Sequence, residues 1–213
     1  MRPVLSCYRS RDARGAASFI VASALSLIFV TGVVPGSSHA QTPPQVSAQE
    51  RSAPTLDARD LPAQTLFNQA LSMERESPEK AIVKYDEVMQ RYGRATPGAR
   101  QLAARALLNK GGILAERGDT QNAIITYERI ERNFGNEKIP AIREVLASAL
   151  VSKAEAFYKQ DRNNPEKTLA AYVQLEQQFG KDDSDFIKRL IDISKWRATE
   201  IQVDNKMALS SSK

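Results

Sequence analysis

Apolar residues recur along the chain in three segments of one form: a tyrosine, six residues, an aromatic residue and a glycine. The segments are 85–93, 127–135 and 172–180, and their tyrosines lie 42 and 45 residues apart. Repetition at such a period is typical of a solenoid, in which similar units stack side by side. Since solenoids act through the extended surface that they present, the pattern favours binding over catalysis.

Within each segment the apolar positions follow the spacing of an α-helix. Steps of 4, 3 and 4 relate the members of three sets: Ala81, Tyr85, Val88 and Tyr92; Ala123, Tyr127, Ile130 and Phe134; Thr168, Tyr172, Leu175 and Phe179. Such steps place four side chains on one stripe of a helix. The glycines that follow, Gly93, Gly135 and Gly180, are expected to end these helices in the left-handed conformation.

Helix starts are predicted in the turn ahead of each stripe. Ser77 and Asn164 each precede a proline, which pairs a capping residue with the residue type favoured at the first helical position. Asp119 is the expected cap of the second stripe helix. Three helices are thus predicted to start near residues 78, 120 and 165.

The segments between the stripes form a second repeat. Proline, arginine, alanine, leucine and lysine positions of 97–110 recur 43 residues later in 140–153. No internal proline interrupts either segment before about residue 117 or 160, so each predicts a helix longer than the stripe helices. Small residues leave room on these helices for neighbouring aromatic rings: Ala104, Gly111, Gly112, Ala147, Ala149 and Ala154.

A solitary last helix is predicted over 183–201, capped by Asp182 or Asp183. Its apolar face would consist of Ile187, Leu190, Ile191, Trp196 and Ile201. The helix would cover the last repeat, as terminal caps of solenoids do. Trp196 is expected to be half-buried in this cap; the alternative is an anchor for a partner, a role in which tryptophan is favoured. The acidic run 182–185 lacks the glycine and the ligand spacing of a calcium loop.

The first forty residues have the layout of a secretory signal peptide. Four arginines precede an apolar run over 16–34, and residues 38–40 supply the small residues that signal cleavage needs. An uncleaved membrane anchor is the alternative. Cleavage would remove Cys7 and His39, the only cysteine and histidine, which excludes disulfides, thiol nucleophiles and histidine-based triads from the mature chain.

Charge and composition bound the remaining possibilities. Cleavage would remove four of the 30 basic residues and one of the 25 acidic residues, so the formal net charge would fall from +5 to +2. That balance gives no basic footprint for nucleic acid. Residues 41–60 are polar and proline-rich and predict a flexible linker. A helical repeat domain is predicted over 61–203, followed by a disordered tail over 204–213.

The paired helices resemble the tetratricopeptide repeat family, in the long-repeat form of bacterial envelope proteins. The second repeat shows the resemblance best, through spaced large and small residues: Leu107, Gly111, Leu114, Gly118, Ala123, Tyr127 and Ile130. The resemblance covers about residues 63–180. It implies an all-α fold, a right-handed α-solenoid of about three helix pairs plus a C-terminal capping helix. It also implies a protein-binding scaffold that is not an enzyme and holds no cofactor or metal.

In this family the first helices of successive pairs line a binding groove. Carried over by position, the resemblance implies these partner-binding residues: Asn68 in the first repeat; Arg105, Asn109 and Glu116 in the second; Glu155, Tyr158 and Lys159 in the third. Phe67 and Leu71 would share the groove, and they replace the lysine and asparagine of the family's carboxylate clamp. Asn109 is the most suggestive residue, because an amide can bond both the N–H and the C=O of an extended peptide.

Two rival functions remain open from the sequence. Arg100, Lys110, Arg143 and Lys153 recur with the repeat and could form a basic stripe. Such a stripe would suit an envelope-assembly accessory that recognises cell-wall glycan or anionic lipid, although long side chains often only cover a helix. Hydrolysis by paired carboxylates is the other rival, yet no motif places such a pair. The sequence favours a periplasmic or secreted adaptor for a protein or peptide, and leaves the partner and the oligomeric state open.

Overall fold

The computed structural model describes residues 57–211, and this part of the chain is helical without any strand. A short 3-10 helix at Ala58–Asp60 leads into seven α-helices: α1 (Leu61–Met73), α2 (Pro78–Tyr92), α3 (Pro97–Glu116), α4 (Thr120–Phe134), α5 (Pro140–Gln160), α6 (Glu166–Phe179) and α7 (Asp185–Ser211). None of these seven is long and apolar enough to cross a membrane. The predicted signal peptide and most of the predicted linker lie outside the described residues.

The helices stack as pairs. Each helix packs against the next, and every odd-numbered helix also contacts the following odd-numbered one, α1 with α3, α3 with α5 and α5 with α7. The odd helices therefore form one layer, against which α2, α4 and α6 pack. This arrangement confirms the predicted all-α solenoid of three helix pairs with a single last helix. We call the solvent side of the odd layer the A face.

The tyrosine stripes form the core between the layers. All four members of the second stripe are at most 2% exposed, and all four members of the third are at most 5% exposed. In the first stripe Tyr92 lies partly buried at the edge of the core, while Tyr85 is fully buried. The period of the apolar positions thus predicted correctly which side of α2, α4 and α6 faces inward.

The stripe helices end at the predicted glycines, but the predicted left-handed conformation is wrong. Gly93, Gly135 and Gly180 have φ of −61°, −56° and −61°. A Cβ atom at these positions would lie 2.7, 2.5 and 2.6 Å from the carbonyl oxygen four residues earlier. Glycine is therefore required here by the close approach of the backbone. The left-handed residue is Gly118, with φ of +83°, in the turn between α3 and α4.

The predicted helix starts hold at two of three sites. Ser77 precedes α2, and Asp119 caps α4 through its carboxylate, which accepts a hydrogen bond from the backbone N–H of Asn122 (3.4 Å). At the third site, α6 begins one residue later than predicted. The Asp161 carboxylate accepts hydrogen bonds from the backbone N–H groups of Asn163 and Asn164, which hold that segment in a turn.

The last helix differs from its prediction at both ends. Its cap is Ser184, whose Oγ accepts from the N–H of Ile187 (3.5 Å). Asp182 instead accepts from the N–H of Ser184 (2.9 Å) and from Arg143 (2.6 Å). At the other end α7 continues to Ser211, where a disordered tail was predicted from residue 204, because no proline or glycine interrupts 204–211.

Candidate functional site

The A face brings the predicted partner-binding residues into one layer. Asn68 lies on α1; Arg105, Asn109 and Glu116 lie on α3; Glu155, Tyr158 and Lys159 lie on α5. Residues 43 apart in α3 and α5 occupy equivalent positions, and the first residues of α5 and α7 are 45 apart. These offsets relate each position of the A face to the next along the stack.

A strip of short and apolar side chains crosses the middle of the A face. Leu108 and Val151 are equivalent residues of α3 and α5, and both are partly buried against the core. Gly112 lies one turn beyond Leu108, and a Cβ atom at this glycine would meet nothing within 4 Å. We call Leu108, Gly112 and Val151 the central strip. Its backbone is bare at Gly112, so another chain can approach it closely.

The neighbouring glycine points the other way. A Cβ atom at Gly111 would lie 2.4 Å from Cε1 of Tyr127, which confirms the predicted contact between a small residue and a stripe ring. The same prediction was wrong for Gly112, because successive helix positions are about 100° apart and only one of the two glycines can face α4.

Hydroxyl groups of the core tyrosines reach the odd layer. Tyr85 donates to Glu74 (2.5 Å), and the Asn109 amide donates both to Glu74 (3.2 Å) and to the Tyr85 oxygen (3.0 Å). Burial raises the pKa of Tyr85 above its usual range, the bond to Glu74 raises it further, and the bond from Asn109 opposes the rise. These bonds hold the nitrogen side of the Asn109 amide within the chain, and its Oδ1 is the atom of this amide that can accept a hydrogen bond.

Equivalent bonds occur at the next two junctions. Burial raises the pKa of Tyr127 to about 12, against the effect of a hydrogen bond with Ser152, the residue of α5 equivalent to Asn109. Tyr172 donates to Glu155, which also accepts from Nε of Arg197 (3.2 Å), the α7 equivalent of Ser152. One residue of each incoming odd helix thus meets a tyrosine hydroxyl of the preceding pair.

The remaining predicted residues have separate surroundings. Asn68 is exposed and accepts from the Gln64 amide (2.7 Å), and Lys159 is exposed near the end of α5. The Arg105 guanidinium lies 5.2 Å from the ring centre of Phe67. Placing Phe67 in the groove was wrong, since it is 2% exposed; its large ring packs instead against the ring of Tyr85 at 5.7 Å. Leu71, also expected in the groove, is 47% exposed.

Tyr158 borders a cavity of about 310 Å³ between the α5–α6 turn and α7. Two guanidinium groups lie over its ring, Arg197 at 4.9 Å and Arg162 at 5.6 Å. Arg197 also forms ion pairs with Glu155 and Glu200. The structure therefore brings Tyr158 and Glu155 together through Arg197, a contact that no spacing in the sequence indicated.

The recurrent basic residues are paired within the chain. Their partners are acidic residues of the neighbouring helices and turns: Arg100 with Glu137, Lys110 with Asp86, Arg143 with Asp182 and Lys153 with Glu131. The Lys153 side chain is only 9% exposed. These residues join successive helices, and their charges are offset by the carboxylates that they bind. They therefore offer no support for a basic stripe.

In the described part of the chain, no group of three or more histidine, cysteine, aspartate or glutamate residues is arranged so that it could hold a metal ion. Asp182 shows how its acidic run is used. Burial alone would raise the pKa of Asp182, but the bonds from Ser184 N–H and Arg143 outweigh this effect and lower it. The run caps and anchors α7.

Trp196 is 65% exposed, which corrects the prediction that it would be half-buried. It is the α7 equivalent of Val151, so it lies on the A face and not against α6. The sequence periodicity was correct for other members of the predicted face, since Ile187, Ile191 and Ile201 are at most 7% exposed. Trp196 lies five residues beyond Ile191, about 140° around the helix from it.

Two features of the A face escaped the sequence reasoning. Gly112 was assigned to packing, and the bond of Ser152 to a tyrosine hydroxyl was not predicted. A signal was available for the second, because Asn109 and Ser152 are 43 residues apart, at the period of the repeat. No sequence signal separates Gly111 from Gly112, since both are glycine in one helical turn.

Comparison with known proteins gives one match. Residues 105–136, from the middle of α3 to just past the end of α4, match the family model of the tetratricopeptide repeat. Neither a curated protein nor a solved structure matches the chain. The matched segment contains Asn109, Gly112 and Glu116, and it supports the resemblance drawn from the sequence. The chain therefore carries a tetratricopeptide repeat in α3 and α4, a repeat that suggests a protein–protein interaction adaptor.

Proposed function

We propose that this protein is a non-enzymatic adaptor, exported to the periplasm or secreted, that binds a segment of another protein across the central strip. The observation that carries the proposal is the bare backbone at Gly112, with open space above it, between Leu108 and the partly buried Val151. A partner segment seated there would cover the apolar side chains. Its N–H groups would find acceptors in Asn109 Oδ1 and in the Glu155 carboxylate.

Preformed side-chain orientation supports the same proposal. Asn109 is held by Tyr85 and Glu74, and Glu155 is held by Tyr172 and Arg197. Side chains that are already fixed lose little conformational entropy when a partner binds. The internal bonds therefore orient these two residues as acceptors and do not remove them from the surface. The export part of the proposal rests on the signal-like first forty residues alone.

The test is photo-crosslinking in cells that produce the full chain. A photoreactive residue in place of Leu108 or Val151 should capture a protein, whereas one in place of Val83 or Ile125, which are 65% and 44% exposed on α2 and α4, should not. Capture that is equal from both sets of positions, or from neither, contradicts the proposal. Fractionation of the same cells tests the location: the captured complex should leave with the periplasmic or secreted fraction.

A blocking variant sharpens the test. Gly112→Leu fills the open space and should abolish capture from Val151, while the melting temperature stays within about a degree or rises, because glycine is a poor helix former. Gly112→Ala is the matched control, which changes the same backbone position but adds only a methyl group and should retain most capture. Undiminished capture in the Gly112→Leu chain would exclude the central strip as the binding surface.

A further inference from the structure

A second apolar surface runs along the axis of α7. Ile193, Trp196, Val203 and Met207 are 56%, 65%, 44% and 61% exposed. Their steps of 3, 7 and 4 are those of the a and d positions of a heptad, so the four side chains share one face of the helix. We call these residues the α7 stripe. It extends over about 21 Å at 1.5 Å per residue, and a helix laid alongside α7 would cover it.

The stripe is not an unfinished solenoid interface. In α5, Leu150 and Ala154 lie on the side that packs against α6, and both are fully buried. A further helix pair would pack against the equivalent side of α7. The α7 equivalents of Leu150 and Ala154 are Lys195 and Thr199, which are exposed. Lys195 forms an ion pair with Glu176 of α6 (2.9 Å). Polar residues thus end the stack on that side, and the exposed apolar residues lie on a different side of α7.

Charges beside the stripe are ordered along the helix. Asp192 and Lys206 are both exposed and lie on one flank, 14 positions apart. Arg197 and Asp204 lie on the other flank. Within one helix Asp192 and Lys206 are about 21 Å apart and cannot bind each other. If the α7 helix of a second copy lies antiparallel, however, each flank lies beside the same flank of the other copy, with its residues in reverse order. Asp192 of each copy then faces Lys206 of the other.

We propose that the α7 stripe is the interface with a second copy of this chain, packed antiparallel about a two-fold axis near Glu200. A two-fold interface must be complementary to itself. The stripe meets this requirement, because its apolar side chains can pack against those of a second copy and its flanking charges meet opposite charges when their order is reversed. Parallel packing would not bring Asp192 near Lys206. Glu200, within the stripe, is bound to Arg197 of its own helix, so its charge is offset before the copies meet. The inference does not depend on the proposed function.

One helix pair is a small interface. Stable complexes bury upwards of about 1,000 Å² in total, and two helices in contact over four turns lie at the low end of that range. The dimer is therefore expected to be weak, with a dissociation constant in the micromolar range. It should assemble and separate with protein concentration, which makes the equilibrium measurable.

Sedimentation velocity of the full-length chain, in mild detergent that keeps its N-terminal apolar run in solution, tests the dimer directly. The chain should shift from monomer to dimer as its concentration rises through the micromolar range. Trp196→Glu should remain monomeric throughout with unchanged circular dichroism, because the tryptophan is 65% exposed. Val173→Glu, at an exposed residue of α6 away from the stripe, is the control and should dimerise normally. A wild-type chain that stays monomeric refutes the interface.

Charge reversal tests the antiparallel arrangement. Asp192→Lys alone and Lys206→Asp alone should each weaken the dimer by about tenfold, and the double variant should restore it, because each reversed residue again faces an opposite charge. Dimerisation without rescue in the double variant overturns the antiparallel arrangement. Capture from Val151 should persist in Trp196→Glu, so a failed dimer and a failed binding strip give different results.

Discussion

α5 and α7 occupy equivalent places in the odd layer, yet they meet opposite surroundings. Leu150 and Ala154 of α5 are buried beneath α6. At the same positions α7 has Lys195 and Thr199, which face solvent. On the A face α7 is again the more exposed helix, because Val151 of α5 is partly buried and Trp196 of α7 is 65% exposed. A repeated register therefore fixes where a side chain lies, whereas the neighbouring helix decides whether it is buried.

The comparison predicts unequal costs for removing two large aromatic side chains. Tyr127→Ala should lower the free energy of unfolding by about 3–5 kcal/mol, because Tyr127 is 2% exposed between α3 and α4. Trp196→Ala should change it by no more than about 0.5 kcal/mol. Urea unfolding followed by circular dichroism, at concentrations below dimer formation, measures both. A similar loss in the two variants would mean that Trp196 is part of the core.

Two adjacent glycines give the next largest contrast. Gly111→Ala should destabilise the protein by roughly 1–3 kcal/mol, because the added methyl group overlaps the Tyr127 ring. Gly112→Ala should instead stabilise it by about 0.5–1 kcal/mol, since the position is open and alanine favours the helix. Thermal unfolding of the two variants measures both changes in stability. If both variants lose stability, Gly112 does not face open space.

Two lysine–glutamate pairs provide the smallest contrast. Glu131→Ala leaves the ammonium group of Lys153, a side chain 9% exposed, without its main partner and should cost roughly 1–2 kcal/mol. Glu176→Ala removes the partner of Lys195, a side chain 56% exposed, and should leave the free energy of unfolding nearly unchanged. Unfolding at two salt concentrations distinguishes the two ion pairs further, because salt screens only the exposed pair, Lys195 with Glu176. Equal losses would show that Lys153 reaches solvent.

Sequence periodicity predicted the core better than it predicted the site. The steps from Ala123 to Phe134 placed four side chains in the core correctly, because each residue of a helix turns the chain by a fixed angle. The residues predicted to bind a partner lie on α1, α3 and α5, the layer that their family positions implied, but their role stays a prediction. Their bonds to tyrosine hydroxyls could not be predicted, since Asn109 and Tyr85 are 24 residues apart on different helices and meet only when the pairs stack.

The positions of the helix ends were predicted more often than the interactions that cause the helices to end there. Gly93 does end α2, but a close contact with the carbonyl of Met89 requires the glycine, and its φ is that of an ordinary helical residue. Ser184 displaced Asp182 as the cap of α7 because Arg143 binds the Asp182 carboxylate from another helix. Both outcomes depend on atoms beyond the local sequence.

The sequence by itself predicted α2 to α7, their pairing and the inward side of the tyrosine stripes, since helical geometry converts spacing along the chain into direction. The first helix, α1, followed only from the family resemblance. The sequence also set the period that relates α3, α5 and α7. Only the tertiary structure decided which of Gly111 and Gly112 is open, which basic residues are neutralised and that Trp196 faces solvent. These properties depend on what lies opposite each side chain, and the distance between helices is not encoded in the spacing of residues along one of them.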